Sequence, residues 1–205
     1  MNELLEMLSS YFGLALVAVG AQNVVFTRAL GISSGLRVLN DSRKNTGTFC
    51  AFLALFQLMT SVIVHLALPL VDLAGFGRYK RFILPAVIVV ACTISYVIVV
   101  VVLSAVIKDR FAAVVRSVTS ASISSAIIGT VILTVYQGLS LADSIVFGLG
   151  SSVGYLFAMI LISEADRKIA HDKIPEAMQG LPIILIYISI LALAVYGLTG
   201  HMITL

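Results

Sequence analysis

Charge is scarce in this chain. Only 11% of its 205 residues are Asp, Glu, Lys or Arg, whereas 60% are hydrophobic and the mean hydropathy is +1.10. A soluble domain carries about 25% charged residues, so an ordinary soluble globular fold is excluded. Cysteine is equally scarce. Cys50 and Cys92 stand far apart inside apolar stretches and form no CxxC, which leaves no zinc or disulfide framework and reads as two small core-like thiols. There is no Walker A sequence, HExxH, dinucleotide fingerprint or Ser-His-Asp set, so no catalytic residue is expected and the chain is not an autonomous enzyme. No carboxylate falls at the middle of an apolar run. Asp72 and Asp143 mark borders, His65 lies near one end of the second run, and His201 is close to the C-terminus. The Asp/Glu relay typical of proton pumps is therefore missing, and no metal site is expected. The opening Met1-Asn2-Glu3 has no positive region, so no cleavable leader is expected. The sequence pI of about 9.0 invites a nucleic-acid reading. The basic residues instead sit in short gaps beside apolar spans, with no basic stripe or aromatic platform, and nucleic acid is excluded as a partner.

What the chain does have is a series of apolar runs. Six helices are expected: Ser9 to Leu30, Gly47 to Leu68, Phe82 to Ile107, Ser117 to Tyr136, Ala142 to Ser163 and Leu181 to Thr199. Each is long enough for a hydrocarbon core of about 30 Å. Of the 13 Lys and Arg, ten fall in the gaps after the first, third and fifth helices, and only Arg78, Lys80 and Arg81 fall elsewhere. The positive-inside rule then puts the odd gaps in the cytoplasm and both termini outside.

Six helices divide into halves of about 1–110 and 111–205. An odd number per half implies an inverted repeat within a single membrane domain. Each half opens with a polar span and continues with two plain ones. The first polar span carries Gln22, Asn23, Thr27 and Arg28, followed by Gly31-Ile32-Ser33-Ser34-Gly35, which breaks a helix cheaply. The fourth opens with Ser120, Ser122, Ser124, Ser125 and Ala126, then Gly129 and Thr130. Interrupted segments at matching positions point to a midplane site, so both are read as half-length helices, the first with a re-entrant end. The blander alternative for both is helix packing glued by amides and small residues. For Gly148, Gly150, Ser151, Ser152 and Gly154 in the fifth span, close packing is the whole expectation.

Several stretches together resemble the RnfA/NqrE (RsxA) type of membrane subunit found in Rnf and Na+-translocating NADH:quinone reductase complexes. They are Gln22 to Ser33, Ile123 to Gly129, Phe147 to Tyr155, Glu164 to Ile169, Ile174 to Gly180 and Tyr196 to Gly200. The resemblance covers essentially the whole chain. It implies an all-α fold of six transmembrane helices as an inverted 3+3 repeat in the bacterial inner membrane, and a partner of the RnfE/NqrD type with opposite orientation. In that family each short polar helix supplies one Cys, and with the partner's pair these hold a 2Fe–2S cluster. Here the matching positions are Ser33 and Ser125, with Ser124 in place of a preceding Asn, and neither Cys50 nor Cys92 matches. Tetrathiolate ligation needs thiolates, so no cluster ligand is expected on this chain.

The expected function is a membrane subunit of an ion-translocating electron-transfer complex, with Gln22, Asn23, Ser33, Ser124 and Ser125 as the candidate pathway. Gly20-Ala21-Gln22-Asn23-Val24 also resembles a short signature of LysE-type exporters, which offers a small-solute transporter as the alternative. That likeness lacks the family's proline and its later Asn-Pro. A non-redox assembly subunit on the same scaffold is the third reading.

Overall fold

The computed structural model describes residues 2–41, 46–73, 75, 77–106, 111–168 and 175–199. His201 and the basic residues Arg43, Lys44, Lys108, Arg110 and Lys173 lie outside the described residues. Among those described, all regular structure is helical. The helices are α1 (Asn2–Val19), α2 (Val24–Arg28), α3 (Ile32–Asp41), α4 (Thr46–Leu73), α5 (Lys80–Val106), α6 (Phe111–Ser122), α7 (Ser125–Tyr136), α8 (Leu141–Lys168) and α9 (Leu181–Thr199). Single 3₁₀ turns, Gly77–Tyr79 and Glu176–Met178, precede α5 and α9.

Three helices, α4, α5 and α8, are long and apolar enough to cross a membrane, and the bent pair α6–α7 makes a fourth span if taken as one. A 28-residue helix such as α4 or α8 rises about 1.5 Å per residue and exceeds a core of about 30 Å. Burial separates their roles. Of its most apolar window, α8 buries 56%, α4 39% and α5 22%. Thus α8 is the central column, contacting α1, α4, α7 and α9. By contrast α5 turns Val90, Val97 and Val101 outward as a lipid-facing row. Pro69 and Pro85 fall within the last turns of α4 and the first turns of α5, where few helical hydrogen bonds are lost.

The boundaries correct the sequence reading in two places. The first expected helix, Ser9 to Leu30, is not one helix. It starts at Asn2, stops at Val19, resumes for five residues as α2, and stops again at Ala29, whose φ of 55° is left-handed. Gly20 ends α1 cheaply, and the Asn23 side chain, held by the Gly154 carbonyl of α8, supplies a new N-cap. After Gly31, which has φ of 78°, the chain enters an unforeseen helix, α3. Gly35 lies within that helix and does not break it. The fourth expected helix, Ser117 to Tyr136, begins instead at Phe111. It is broken at Ile123–Ser124 with a bend of 40°. The sixth, Leu181 to Thr199, is as expected.

Candidate functional site: the serine junction between two broken helices

Each break is capped by a short polar side chain. Asn23 is buried, 1% exposed. Its Oδ1 accepts from the Val25 and Phe26 N–H groups at 3.0 and 3.4 Å. Its Nδ2 donates to the carbonyl oxygens of Val19 and Gly154, both at 2.9 Å. All the hydrogen-bonding capacity of this amide is thereby used, on a last-turn carbonyl of α1, the first free N–H groups of α2 and the α8 backbone. Ser124, fully buried, plays the equivalent part for α7, accepting from Ala126 N–H at 3.4 Å.

The turn that follows α2, not the break capped by Asn23, meets the break at Ser124. The hydroxyls of Ser34 and Ser124 are 3.0 Å apart, and Ser125 Oγ accepts from the Gly31 N–H at 2.9 Å. The Tyr155 hydroxyl, reaching from α8, donates to the Gly31 carbonyl at 2.6 Å. Gly31 is thus held on both sides by side chains from different helices. No other residue fits there: its φ of 78° disfavours a side chain, and a Cβ would stand 2.5 Å from the Tyr155 ring. The same closeness recurs along α1 and α8. A Cβ on Gly154 would stand 2.9 Å from the Val19 carbonyl oxygen, and one on Gly150 2.7 Å from that of Ala15.

Of the five candidates named from sequence, Asn23, Ser124 and Ser125 belong to this framework. Gln22 lies at its edge, where its Oε1 accepts from Gln137 Nε2 at 3.1 Å. Ser33 is exposed, and it is the neighbouring Ser34 that reaches Ser124. Sequence reasoning assigned neither Ser34 nor Tyr155 to the site, and read Gly154 only as a close-packing glycine, which its approach to Val19 bears out. Tyr155 had only its bulk beside the small Gly154 as a signal.

The donor set does not suit an iron–sulfur cluster. The junction offers hydroxyls and backbone groups. Cys50 is on α4, and Cys92 on α5 takes the Thr60 hydroxyl at 3.7 Å. Among the described residues no group of three or more His, Cys, Asp or Glu is placed to hold a metal.

A family model described as Rnf-Nqr subunit, membrane protein, matches residues 11–202. The chain belongs to the Rnf-Nqr family. Similar proteins include an ion-translocating oxidoreductase complex subunit from Azoarcus sp. (strain BH72). It is 30% identical over 198 residues, covering 95% of this chain and 97% of the relative. The corresponding protein of Shewanella oneidensis, which carries the same name, is 27% identical over 199 residues, covering 94% and 98%. One Na(+)-translocating NADH-quinone reductase subunit, from Saccharophagus degradans, is 30% identical over 79 residues, 38% of this chain and 39% of the relative. The family match runs far beyond the five residues, Gly20 to Val24, that resemble an exporter. Those residues are where α1 of this Rnf-Nqr protein ends and α2 is capped.

Proposed function

We propose that this Rnf-Nqr membrane protein belongs to an ion-translocating electron-transfer complex and that the serine junction lines its passage without ligating iron. The observation that carries the reading is the meeting of the turn after α2, Gly31–Ser34, with the break at Ser124–Ser125. Irregular backbone at membrane depth is tolerated where it is buried in protein or lines a polar cavity. Two capped breaks, each opening one half of the chain, support a six-span inverted repeat with halves of about 1–110 and 111–205. The basic-residue bias supports an inner-membrane placement with both termini outside.

Ser33 and Ser125 are exposed, and so is Ile123 at the second break, at 77%. An apolar side chain left open next to the junction favours a protein partner there. A partner of the RnfE/NqrD type with opposite orientation is the proposed occupant. Any 2Fe–2S cluster at that contact would need its thiolates from elsewhere.

A second reading, in which the chain only holds the complex together, is favoured by one observation: Asn23 has no hydrogen-bonding capacity left for a passing ion. Ser125→Ala in the reconstituted complex separates the two. The passage reading expects normal assembly with slowed electron flow or ion transport. Assembly, electron flow and transport all unchanged would remove the junction from the mechanism.

A further inference from the structure

We infer that the α4–α8 interface holds a bound water between Gln57 and Ser61, in the space opposite Gly148, and that this site hydrates a polar seam ending at His65. The two helices are antiparallel: Gln57 meets Ser152 at 2.9 Å, and eight residues along each helix His65 meets Ser144 at 3.3 Å. Ser61 and Gly148 fall midway in that register, and the side chain nearest to Gly148 is that of Gln57.

Three observations converge on this point. Gln57 and Ser61 are 1% and 3% exposed, yet Gln57 Nε2 and Ser61 Oγ are buried without a hydrogen-bond partner. Two such orphans one helical turn apart, buried in the helix pair, call for a shared partner. Next, the single Ser152 hydroxyl hydrogen is claimed twice at 2.9 Å, by Gln57 Oε1 and by the Gly148 carbonyl. Turning the amide over resolves the conflict: Nε2 then donates to Ser152 Oγ, which donates to Gly148. The amide oxygen then takes the place of the orphaned nitrogen, and with Ser61 Oγ also unpartnered a water can donate to the amide and accept from the serine hydroxyl. Last, Gly148 leaves its side of the interface uncrowded: the nearest atoms a Cβ there would meet are those of the Gln57 side chain, at 3.5–4.0 Å, in ordinary van der Waals contact.

From this point the seam runs to His65, whose Nδ1 lies 3.0 Å from the Ser61 carbonyl and whose Nε2 lies 3.2 Å from that of Leu139. That such a seam feeds the serine junction rests on the functional reading above; the water site does not.

The test is Ag+ accessibility in the full complex, in membrane vesicles, with Cys50→Ala and Cys92→Ala as background. Ser61→Cys is nearly isosteric, and Ag+ replaces its thiol proton only where water reaches. Protection from later maleimide labelling is expected to develop about tenfold faster at Ser61→Cys than at lipid-facing Val97→Cys. Adding Gly148→Ala, which fills the space, is expected to return the rate to that of the control. Equal rates at the two cysteines, or no effect of Gly148→Ala, would overturn the proposal. A cryo-EM map of the unmodified complex that resolves ordered waters elsewhere gives a check free of substitutions. Density between Gln57 and Ser61 is expected, and its absence contradicts the site. Neither readout needs electron flow or ion transport, so failure here is distinct from failure of the functional reading.

Discussion

Asn23 holds two helices by one amide: its Nδ2 donates to the last turn of α1 at Val19 and to α8 at Gly154, both at 2.9 Å. A residue 131 positions away along the chain thereby fixes where the first span breaks. This bond is also why α8 carries glycine at that level, since a Cβ on Gly154 would stand 2.9 Å from Asn23 Nδ2.

Removing the amide exposes the cost of the break. Asn23→Ala deletes an N-cap, worth about 1 kcal/mol, and leaves the Gly154 and Val19 carbonyls with one bond fewer in a dry setting. A loss of about 2–4 kcal/mol is expected from these terms together. Thermal unfolding of the purified complex in detergent reads it. A melting temperature unchanged from the parent would show that the cap is dispensable.

The α1–α8 contact predicts a contrast between glycines. Gly154→Ala pushes a methyl into the Val19 backbone and is expected to cost about 1–3 kcal/mol. Gly13→Ala on α1 meets nothing within 4 Å and is expected to be neutral or to gain up to about 1 kcal/mol from helix propensity. Equal effects at the two positions in the same unfolding assay would contradict the packing.

Tyr155→Phe removes the 2.6 Å bond to the Gly31 carbonyl together with the hydroxyl's contacts to Ser34 and Gly35. The expected loss is about 1–2 kcal/mol, the value of one buried hydrogen bond. Accessibility at Ser33→Cys, measured by maleimide labelling, is expected to rise as the Gly31 turn loosens. Unaltered stability and labelling would place the turn under other control.

Iron content gives a prediction on the chemistry. Cys92 takes the Thr60 hydroxyl, and Cys50, although near Tyr155, meets hydroxyls and backbone groups at the junction and no second thiol, so Cys50→Ser with Cys92→Ser is expected to leave the iron of the purified complex and its electron paramagnetic resonance spectrum unchanged. A stoichiometric loss of iron would make one of these thiols a ligand after all.

Some of this was legible in the residues and some was not. The membrane class and the positions of α4, α5, α8 and α9 follow from apolar runs and sparse charge, because burial in lipid needs nothing more specific. The weakness of the first and fourth spans was also legible from Gln22, Asn23 and the serine-rich Ser117–Ser125 stretch. The breakpoints were not. Whether Asn23 is mid-helix glue or an N-cap depends on an acceptor at Gly154, which no local pattern shows. The same holds for Ser34: it is chosen over Ser33 because α3 is helical, and one residue along a helix turns a side chain by about 100°. Helix α3 itself was hidden because Gly31-Ile32-Ser33-Ser34-Gly35 reads as a loop. Gly35 lies in the helix because Met159 and Tyr155 leave no room for a side chain there.

The claim on which the rest depends is that the two broken spans meet at Ser34 and Ser124. Oxidative cross-linking of a Ser34→Cys/Ser124→Cys pair, in a Cys50→Ala/Cys92→Ala background, tests it most directly. Hydroxyl oxygens 3.0 Å apart put the side chains within disulfide reach, so near-complete cross-linking in intact membranes is expected. Two thiols that stay reduced under oxidant while each still reacts with maleimide would mean that the junction does not exist.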